Sequence, residues 1–185
     1  MIVYKIKRTV FLKMMKLAFS VILASILFSI EGSCQEKKDE ALEALIDKRI
    51  FDNVGLLTAG QKKDLYKVIQ SLEKEIGSQI AIIIVDTLKG KNINTVSIEL
   101  ANKLNLGRDK FKDGILILTA YKDRKVRIEV GYGLEKIIKD EVASRILREK
   151  TTPRFKKKEY YQGLLDTVIE ISRLIKHNRQ LIGKE

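Results

Sequence analysis

The chain has 185 residues, of which 45% are hydrophobic, and it carries 36 Lys and Arg against 24 Asp and Glu. That length suits one domain with its own core, and the hydrophobic share excludes a disordered chain. The single cysteine, Cys34, and the single histidine, His177, exclude a disulfide framework, a Cys-based zinc site and a poly-His metal site, and they disfavour a Ser-His-Asp triad.

The N-terminal segment has the pattern of an export signal. Basic residues precede an apolar run of 14 residues, Leu17–Ile30, and small residues follow that run. Because a membrane span needs roughly 20 apolar residues, we predict a signal peptide at 1–34 rather than a transmembrane helix. A start at Met14 or Met15, instead of Met1, would also open a compact signal.

Cys34, at the end of this signal, has two interpretations. As a lipobox cysteine it would carry a diacylglyceryl anchor, and the small residues Gly32 and Ser33 suit that processing. Glu31 opposes it, because an aliphatic residue is usual at that position. In the alternative, cleavage at or after Cys34 releases a soluble protein that begins near Gln35. Both interpretations place the mature protein in the periplasm or envelope.

The charge of the mature chain indicates its partners. Residues 1–34 hold five basic residues and one acidic residue, so the remainder has a formal net charge of +8. Its basic side chains are dispersed rather than gathered in a stripe with aromatic residues, so we predict no nucleic-acid partner. An exported protein of this charge meets anionic lipids and envelope polymers instead. We therefore expect a monomer with a membrane or membrane-protein partner.

The first part of the mature chain predicts a spacer, a helix and a strand. Residues 35–50 are highly charged and are interpreted as the spacer. Thr58 and Gln61 fit the capping box at the start of a helix, and Gly77 supplies the left-handed C-cap at the end of that helix. The run Ile80–Val85 is apolar throughout, which is typical of a central strand that is covered on both faces.

The rest of the chain continues the α/β pattern. Lys125–Val130 alternates between apolar and charged residues, which predicts an edge strand paired antiparallel with the strand before it. Pro153 lies beyond the end of the third predicted helix. The result is an α/β fold, a Rossmann-like α/β/α sandwich with a mainly parallel sheet and one antiparallel β-hairpin. The predicted elements in this part are a helix at Thr95–Leu104, strands at Ile115–Ala120 and Lys125–Val130, and helices at Asp140–Lys150 and Glu159–His177.

Three aspartates are predicted to meet at one edge of this sheet. Asp86 follows the first apolar strand, Asp123 follows the second, and Asp52 precedes the first helix. The carboxyl ends of parallel strands share one edge, where ligands bind in open α/β sheets, and the first helix also begins there. We therefore predict that the three carboxylates converge, although each residue is also explained as an ordinary loop or turn residue.

Converging carboxylates predict a metal site. They repel each other, and a divalent cation relieves that repulsion. A set of ligands that are all oxygen selects Ca²⁺, Mg²⁺ or Mn²⁺ over softer metals. Arg124, next to Asp123, is the predicted binding residue for a phosphate-like anion, because its guanidinium donates as a planar fork. No nucleophile or general acid stands out, so the catalytic residues stay unassigned.

Other polar residues fall at the opposite edge of the predicted sheet or outside it. Asp113 and Gly114 form a turn signature, and 131–133 lacks the third glycine of a dinucleotide loop. We interpret these residues as structural, with a second cation site at Asp113 and Asp140 as the alternative. The lysine run at 156–158 is interpreted as a solvated approach to a helix, with contact to anionic lipid as the alternative.

Four segments resemble one known family, the TPM domain. Each segment is short, but the combined Asp-Arg…Val-Gly-Tyr-Gly-Leu-Glu pattern is specific. The resemblance covers the chain from about Phe51 to Ile175, so we predict a TPM-like domain at 51–178 and a C-terminal tail at 179–185. The segments are Asp52–Thr58, Gly107 with Asp113–Leu118, Asp123–Glu135 and Phe155–Leu164.

The resemblance implies an extracytoplasmic Rossmann-like sandwich, often membrane-associated, of a kind found in bacteria and in the thylakoid lumen. Some members bind Ca²⁺ or other divalent ions through acidic residues at a sheet edge, so the resemblance implies Ca²⁺ as the favoured ion, with Mg²⁺ or Mn²⁺ as alternatives. Acid phosphatase activity has been proposed for a plant member. By motif, Asp52, Asp123 and Arg124 carry over as site candidates, whereas Asp86 rests on the topology alone. Two functions stay open: a cation-binding envelope protein that hydrolyses phosphate esters, and a non-catalytic interaction module.

Overall fold

The computed structural model describes residues 48–184, and within them four strands form one sheet. The strands are β1 (Ile50–Asp52), β2 (Gln79–Val85), β3 (Gly114–Ala120) and β4 (Lys125–Val130). They lie side by side in chain order; β1, β2 and β3 are parallel, and β4 is antiparallel to β3. The predicted fold class is therefore confirmed. The signal peptide, Cys34 and the spacer up to residue 47 lie outside the described residues.

Helices cover both faces of the sheet. No helix between residues 48 and 184 is both long enough and apolar enough to cross a membrane. A π-helical turn at Leu147–Thr151 joins the third of these helices to the fourth, and short 3₁₀ turns follow β4 and the last helix. Within the described residues the α-helices are α1 (Ala59–Ile76), α2 (Ile93–Lys103), α3 (Asp140–Ile146), α4 (Thr152–Lys156) and α5 (Tyr160–His177).

The ends of α1 follow from local sequence. The hydroxyl of Thr58 accepts a hydrogen bond from the Gln61 main chain at 3.3 Å, and the Gln61 side chain accepts one from the Thr58 main chain at 3.0 Å. Gly77 ends the helix with φ of 92°, a left-handed conformation that glycine adopts without steric cost. The predicted capping box and C-cap are both confirmed.

The core has two halves because β2 and β3 are buried on both faces. On one face the small and branched side chains of these strands pack against Ile93, Val96 and Leu100 of α2. On the other face α1 packs against β2 and against α5. The sheet is thus the middle layer between two layers of helices. Polar side chains that could contact a ligand therefore lie at the edges of the sheet.

The structure adds one strand to the predicted elements and places Asp52 in it. β1 begins at Ile50, which was assigned to the spacer, and ends at Asp52, which was assigned to a loop. Its three residues pair with Ile82, Ile83 and Ile84 of β2. A strand this short has no periodicity of its own, so it forms because β2 offers an unpaired edge.

The third predicted helix continues beyond its expected end. Instead of ending at Lys150 ahead of Pro153, the chain passes through the π-helical turn into α4, with Pro153 in the first turn of that helix. Proline is tolerated there because the N–H groups of a first turn have no intrahelical acceptor. The predicted tail also holds structure: Gly183 N–H donates to the carbonyl of Gly133 at 3.0 Å.

Candidate functional site

The sheet register brings the ends of β1, β2 and β3 to one edge. Asp52 lies opposite Ile84 in the parallel ladder, two residues before Asp86. The N–H of Tyr121 donates to the carbonyl of Val85 at 2.9 Å, and the N–H of Lys122 donates to the carbonyl of Asp86 at 2.8 Å. These bonds join the start of the β3–β4 hairpin to the loop that follows β2.

The carboxylate of Asp52 is engaged by its own loop. One oxygen accepts from the N–H groups of Val54 at 3.1 Å and Gly55 at 2.9 Å, and the other accepts from the N–H of Leu57 at 2.9 Å. An aspartate that closes a turn in this way satisfies main-chain donors that would otherwise face solvent. The arrangement fixes the entry into α1.

Asp123 and Asp86 tie the hairpin to the β2–α2 loop by different means. The Asp123 carboxylate accepts from the N–H of Leu88 at 2.6 Å and from the hydroxyl of Thr87 at 3.3 Å. The Asp86 carboxylate instead pairs with the ammonium of Lys122 at 2.7 Å, and both side chains are largely exposed. That hydrogen bond and the negative charge of Asp86 raise the pKa of Lys122.

As folded, the three aspartates do not share one pocket of oxygens. Between residues 48 and 184 no three side chains of the His, Cys, Asp or Glu type form a group that could hold a metal ion. A cation at this edge would have to draw Asp86 away from Lys122 and share the oxygens of Asp123 with the loop. Cation binding by Asp52, Asp86 and Asp123 therefore stays a prediction.

Asp113 has a structural environment. It is fully buried, and its carboxylate pairs with the Arg108 guanidinium at 2.5 Å. One oxygen accepts from the Arg108 N–H at 2.8 Å, and the other also accepts from the hydroxyl of Ser78 at 2.9 Å. Asp140, its proposed partner in a second cation site, is exposed at the start of α3. The second cation site likewise stays a prediction.

Arg124 lines a cleft that the sequence did not reveal. The cleft has a volume of about 760 Å³ and lies between the β3–β4 hairpin and the segment from α4 to the start of α5. It opens at the same end of β3 as the aspartates. We call it the basic cleft, and its lining residues are Thr119–Lys122, Arg124–Val126, Thr152, Phe155, Lys156, Lys158 and Tyr160.

The lining of the basic cleft carries charge of one sign. None of the lining residues described is acidic, and five are basic, namely Lys122, Arg124, Lys125, Lys156 and Lys158. Among described residues, Lys122 is the member of this set that forms an ion pair. Such a concentration of positive charge raises the local concentration of anions.

Two nearby carboxylates are held away from these lysines. The guanidinium of Arg154 binds the carboxylate of Glu159 at 2.8 Å and that of Asp166 at 3.3 Å. Gln162 also donates to Asp166, at 2.6 Å. The hydrogen bond that Arg154 donates to Glu159 is the main reason why the pKa of Arg154 is raised. Within the described part of the chain, neither Glu159 nor Asp166 forms an ion pair with a lysine of the basic cleft.

Three aromatic rings form one wall of the basic cleft. The ring of Tyr160 meets those of Phe155 and Tyr121 edge-to-face, with centroids 5.3 Å and 5.7 Å apart. Gly163 permits this packing, since a Cβ at that position would lie 2.9 Å from the Phe155 ring. Burial, followed by the proximity of Tyr121, raises the pKa of Tyr160, so its hydroxyl stays neutral. An apolar wall beside basic side chains suits an organic anion.

One buried hydroxyl in the basic cleft lacks a partner. Thr119, on β3, is 3% exposed, and its Oγ1 forms no hydrogen bond with any described residue. A buried hydroxyl without a partner costs free energy. Arg124 and Lys158 in the same lining have left-handed main-chain conformations, with φ of 51° and 62°. Strained residues and unsatisfied polar atoms are more frequent at functional sites than elsewhere.

A second cleft, of about 800 Å³, lies alongside α2, β4 and the loop that leads to α3. Its charges are balanced: Arg127 and Glu129 pair at 2.8 Å, and Lys112, Lys139, Glu135 and Asp140 also line it. This cleft has no excess of either charge and therefore selects no class of charged ligand. The basic cleft is the stronger candidate site.

Comparison with known proteins supports the fold and places the chain among relatives. A family model described as TPM domain, and carrying the name TPM_phosphatase, matches residues 50–174. No significant match was found among curated proteins.

Three solved structures, all determined by NMR, share the fold. The N-terminal domain of a Porphyromonas gingivalis protein (P. gingivalis) is 23% identical, with a TM-score of 0.68 over 75% of this chain and 88% of that one. The BA42 protein of Bizionia argentinensis is 20% identical, with a TM-score of 0.58 and coverage of 72% and 94%. The N-terminal domain of the cg2496 protein of Corynebacterium glutamicum is 10% identical, with a TM-score of 0.55 and coverage of 68% and 78%.

Proposed function

Because this chain belongs to the TPM domain family, we propose that it binds phosphate esters in the cell envelope, in the basic cleft, and that it hydrolyses them when a divalent cation is present. The observation that carries the binding step is the lining of the cleft, with five basic residues and, among the residues described, no acidic one. Export and cation binding are parts of the proposal that rest on the sequence.

The side chains of the basic cleft have complementary tasks in binding an ester. Arg124 donates to phosphate oxygens as a planar fork, which a lysine cannot do. The lysines supply point charges and further donors. The aromatic wall of Phe155 and Tyr160 packs against the organic group of the ester, and the neutral Tyr160 hydroxyl adds no repulsive charge. Binding is therefore expected to weaken as salt concentration rises.

Hydrolysis needs groups that the lining itself does not supply. Among its described residues the basic cleft has no carboxylate, imidazole or thiol that could act as a base or nucleophile. Asp86 and Asp123, on adjoining loops, are the residues that would hold a cation, since the surface ion pair of Asp86 is inexpensive to break. A bound Ca²⁺, Mg²⁺ or Mn²⁺ would polarise a phosphoryl oxygen.

The same observation favours a second candidate function. A cleft that is lined by basic side chains but has no general base would also suit a non-catalytic module that docks on a phosphate-bearing partner in the envelope. In that case phosphate binding would occur without turnover. Binding and catalysis must therefore be measured separately.

One experiment separates the two functions. The purified full chain is titrated by calorimetry with phenyl phosphate and assayed for hydrolysis of p-nitrophenyl phosphate, each with and without millimolar Ca²⁺ or Mg²⁺. We expect Arg124→Gln to weaken binding about ten-fold, Asp123→Asn to abolish metal-dependent turnover, and Lys63→Gln, on the exposed face of α1, to change neither.

The possible results of these titrations and assays distinguish hydrolysis from docking and from the absence of a phosphate site. Phenyl phosphate binding without turnover in any metal would favour the docking module. Turnover that both Arg124→Gln and Asp123→Asn leave unchanged would place hydrolysis outside this site. Absence of binding to phenyl phosphate at low salt would refute the proposal. A separate titration with Ca²⁺ alone tests the cation: no heat at millimolar Ca²⁺ would exclude a site at Asp86 and Asp123.

A further inference from the structure

We infer that the basic cleft is built for a diphosphate group rather than for a single phosphate. This inference rests on the proposed function, because it names the class of ligand for the same cleft. It covers soluble diphosphates and lipids that end in a diphosphate, since the recognised chemistry is the same.

The first argument is the amount of charge. One phosphate monoester carries about −1.5 to −2 at neutral pH, which one guanidinium and one ammonium neutralise. The basic cleft presents five cations, and Lys122 alone among them has an acidic partner in the described structure. Like charges in one cleft repel each other and destabilise the fold. A second phosphate would neutralise the cations that a monoester leaves over.

The second argument is that the basic side chains belong to two separate segments of the chain. Lys122, Arg124 and Lys125 belong to the β3–β4 hairpin, whereas Lys156 and Lys158 belong to the segment between α4 and α5. Two segments that both line a cleft of about 760 Å³ can each bind one phosphate of a linked pair. A single phosphate, bound by the hairpin, would leave the other segment without an anion.

The third argument is the unused donors in the cleft. Thr119 belongs to the lining, and its buried hydroxyl has no hydrogen-bond partner among residues 48–184. Moreover, α5 begins at Tyr160, which also lines the cleft, and within the described residues no side chain caps its first turn. The N–H groups of a first helical turn favour anions. If a ligand reaches them, these neutral donors would add hydrogen bonds to phosphate oxygens without adding further charge.

The test compares one phosphate with two on the full chain. Calorimetry at low salt measures the affinities for phenyl phosphate and for inorganic pyrophosphate, without metal. We expect pyrophosphate to bind at least about ten-fold more tightly. Lys156→Gln should reduce pyrophosphate affinity by a factor several times larger than the factor by which it reduces phenyl phosphate affinity. Arg124→Gln should weaken both, and Lys63→Gln, matched in charge but outside the cleft, should weaken neither.

A competition arm separates a diphosphate from the headgroups of a membrane. Vesicles of phosphatidylglycerol, whose headgroups carry one phosphate each, should fail to displace pyrophosphate at an equal phosphate concentration. Displacement by these vesicles would overturn the inference, and so would equal affinities for pyrophosphate and phenyl phosphate. In either case the proposed binding of phosphate esters would stand. If neither small ligand binds, the proposed function fails along with the inference.

Discussion

Replacement of Thr119 by valine tests whether the basic cleft trades stability for binding. Valine keeps the branched shape of threonine and removes the hydroxyl, which is buried without a partner in the described structure. Leaving such a hydroxyl buried costs about 1–3 kcal/mol. We therefore expect Thr119→Val to raise the free energy of unfolding by about 1 kcal/mol and the melting temperature by about 4 °C.

The same change should weaken ligand binding. If the Thr119 hydroxyl donates to a phosphate oxygen, its loss removes a charge-assisted hydrogen bond, and affinity for phosphate ligands should fall about ten-fold. Thermal unfolding by circular dichroism measures the first effect, and calorimetry with pyrophosphate measures the second. Both measurements use the same protein preparation.

Ser172 provides a matched control. Its hydroxyl, on the buried face of α5, is also without a partner among the described residues, but Ser172 does not line the basic cleft. Ser172→Ala should therefore stabilise the protein and leave pyrophosphate affinity unchanged. The reasoning is refuted if Thr119→Val lowers stability, or if the two variants have the same effect on affinity.

Three further predictions follow from the structure. Arg124→Gly should relieve the left-handed conformation of that residue, raise stability by up to about 1 kcal/mol in chemical denaturation, and weaken phosphate binding about ten-fold; a loss of stability would contradict this. Asp113→Ala should destabilise the fold by about 3 kcal/mol in the same assay, because it leaves Arg108 and Ser78 without their partner, and a near-neutral effect would contradict a structural role. The pKa of Glu170 is lowered by the hydrogen bond that it accepts from Arg173, so its contribution to the free energy of unfolding is present near neutral pH and is lost as pH falls below the ordinary glutamate pKa of about 4.3. Glu170→Gln should therefore make the free energy of unfolding depend less on pH in that range. An unchanged pH dependence would count against a stabilising ion pair between Glu170 and Arg173.

Sequence patterns predicted the parts of the fold that local chemistry decides. The cap of α1 needs Thr58 and Gln61 alone, and Gly77 ends that helix by its own conformation. The continuous apolar runs of β2 and β3 likewise predict strands that are buried on both faces of the sheet. β1 could not be predicted in this way, because three residues have no period and are stabilised by pairing with β2. The path through Pro153 depends on a π-helical turn that has no sequence signature.

The candidate site, too, could be predicted from the sequence only in part. Topology correctly brought the ends of two predicted strands and the start of the first helix to one edge, but it says nothing of where a carboxylate points. Asp52 turns back to its own main chain, an outcome that the Asp-x-x-Gly spacing to Gly55 could have indicated. The basic cleft was missed because it depends on two segments that meet in space. Its signs in the sequence were the lysine run at 156–158, beside Tyr160, and Arg124, which was predicted to bind a phosphate-like anion.

The central claim is that the basic cleft binds phosphate, and the most direct test is to locate the bound ligand. Titration of the ¹⁵N-labelled full chain with phenyl phosphate, followed by two-dimensional NMR, reports which amides respond. We predict saturable shifts that are largest in 119–126 and 152–160, and that are lost in Arg124→Gln. Shifts that are largest around the second cleft, at 129–140, or no saturable shifts at all, would contradict the claim.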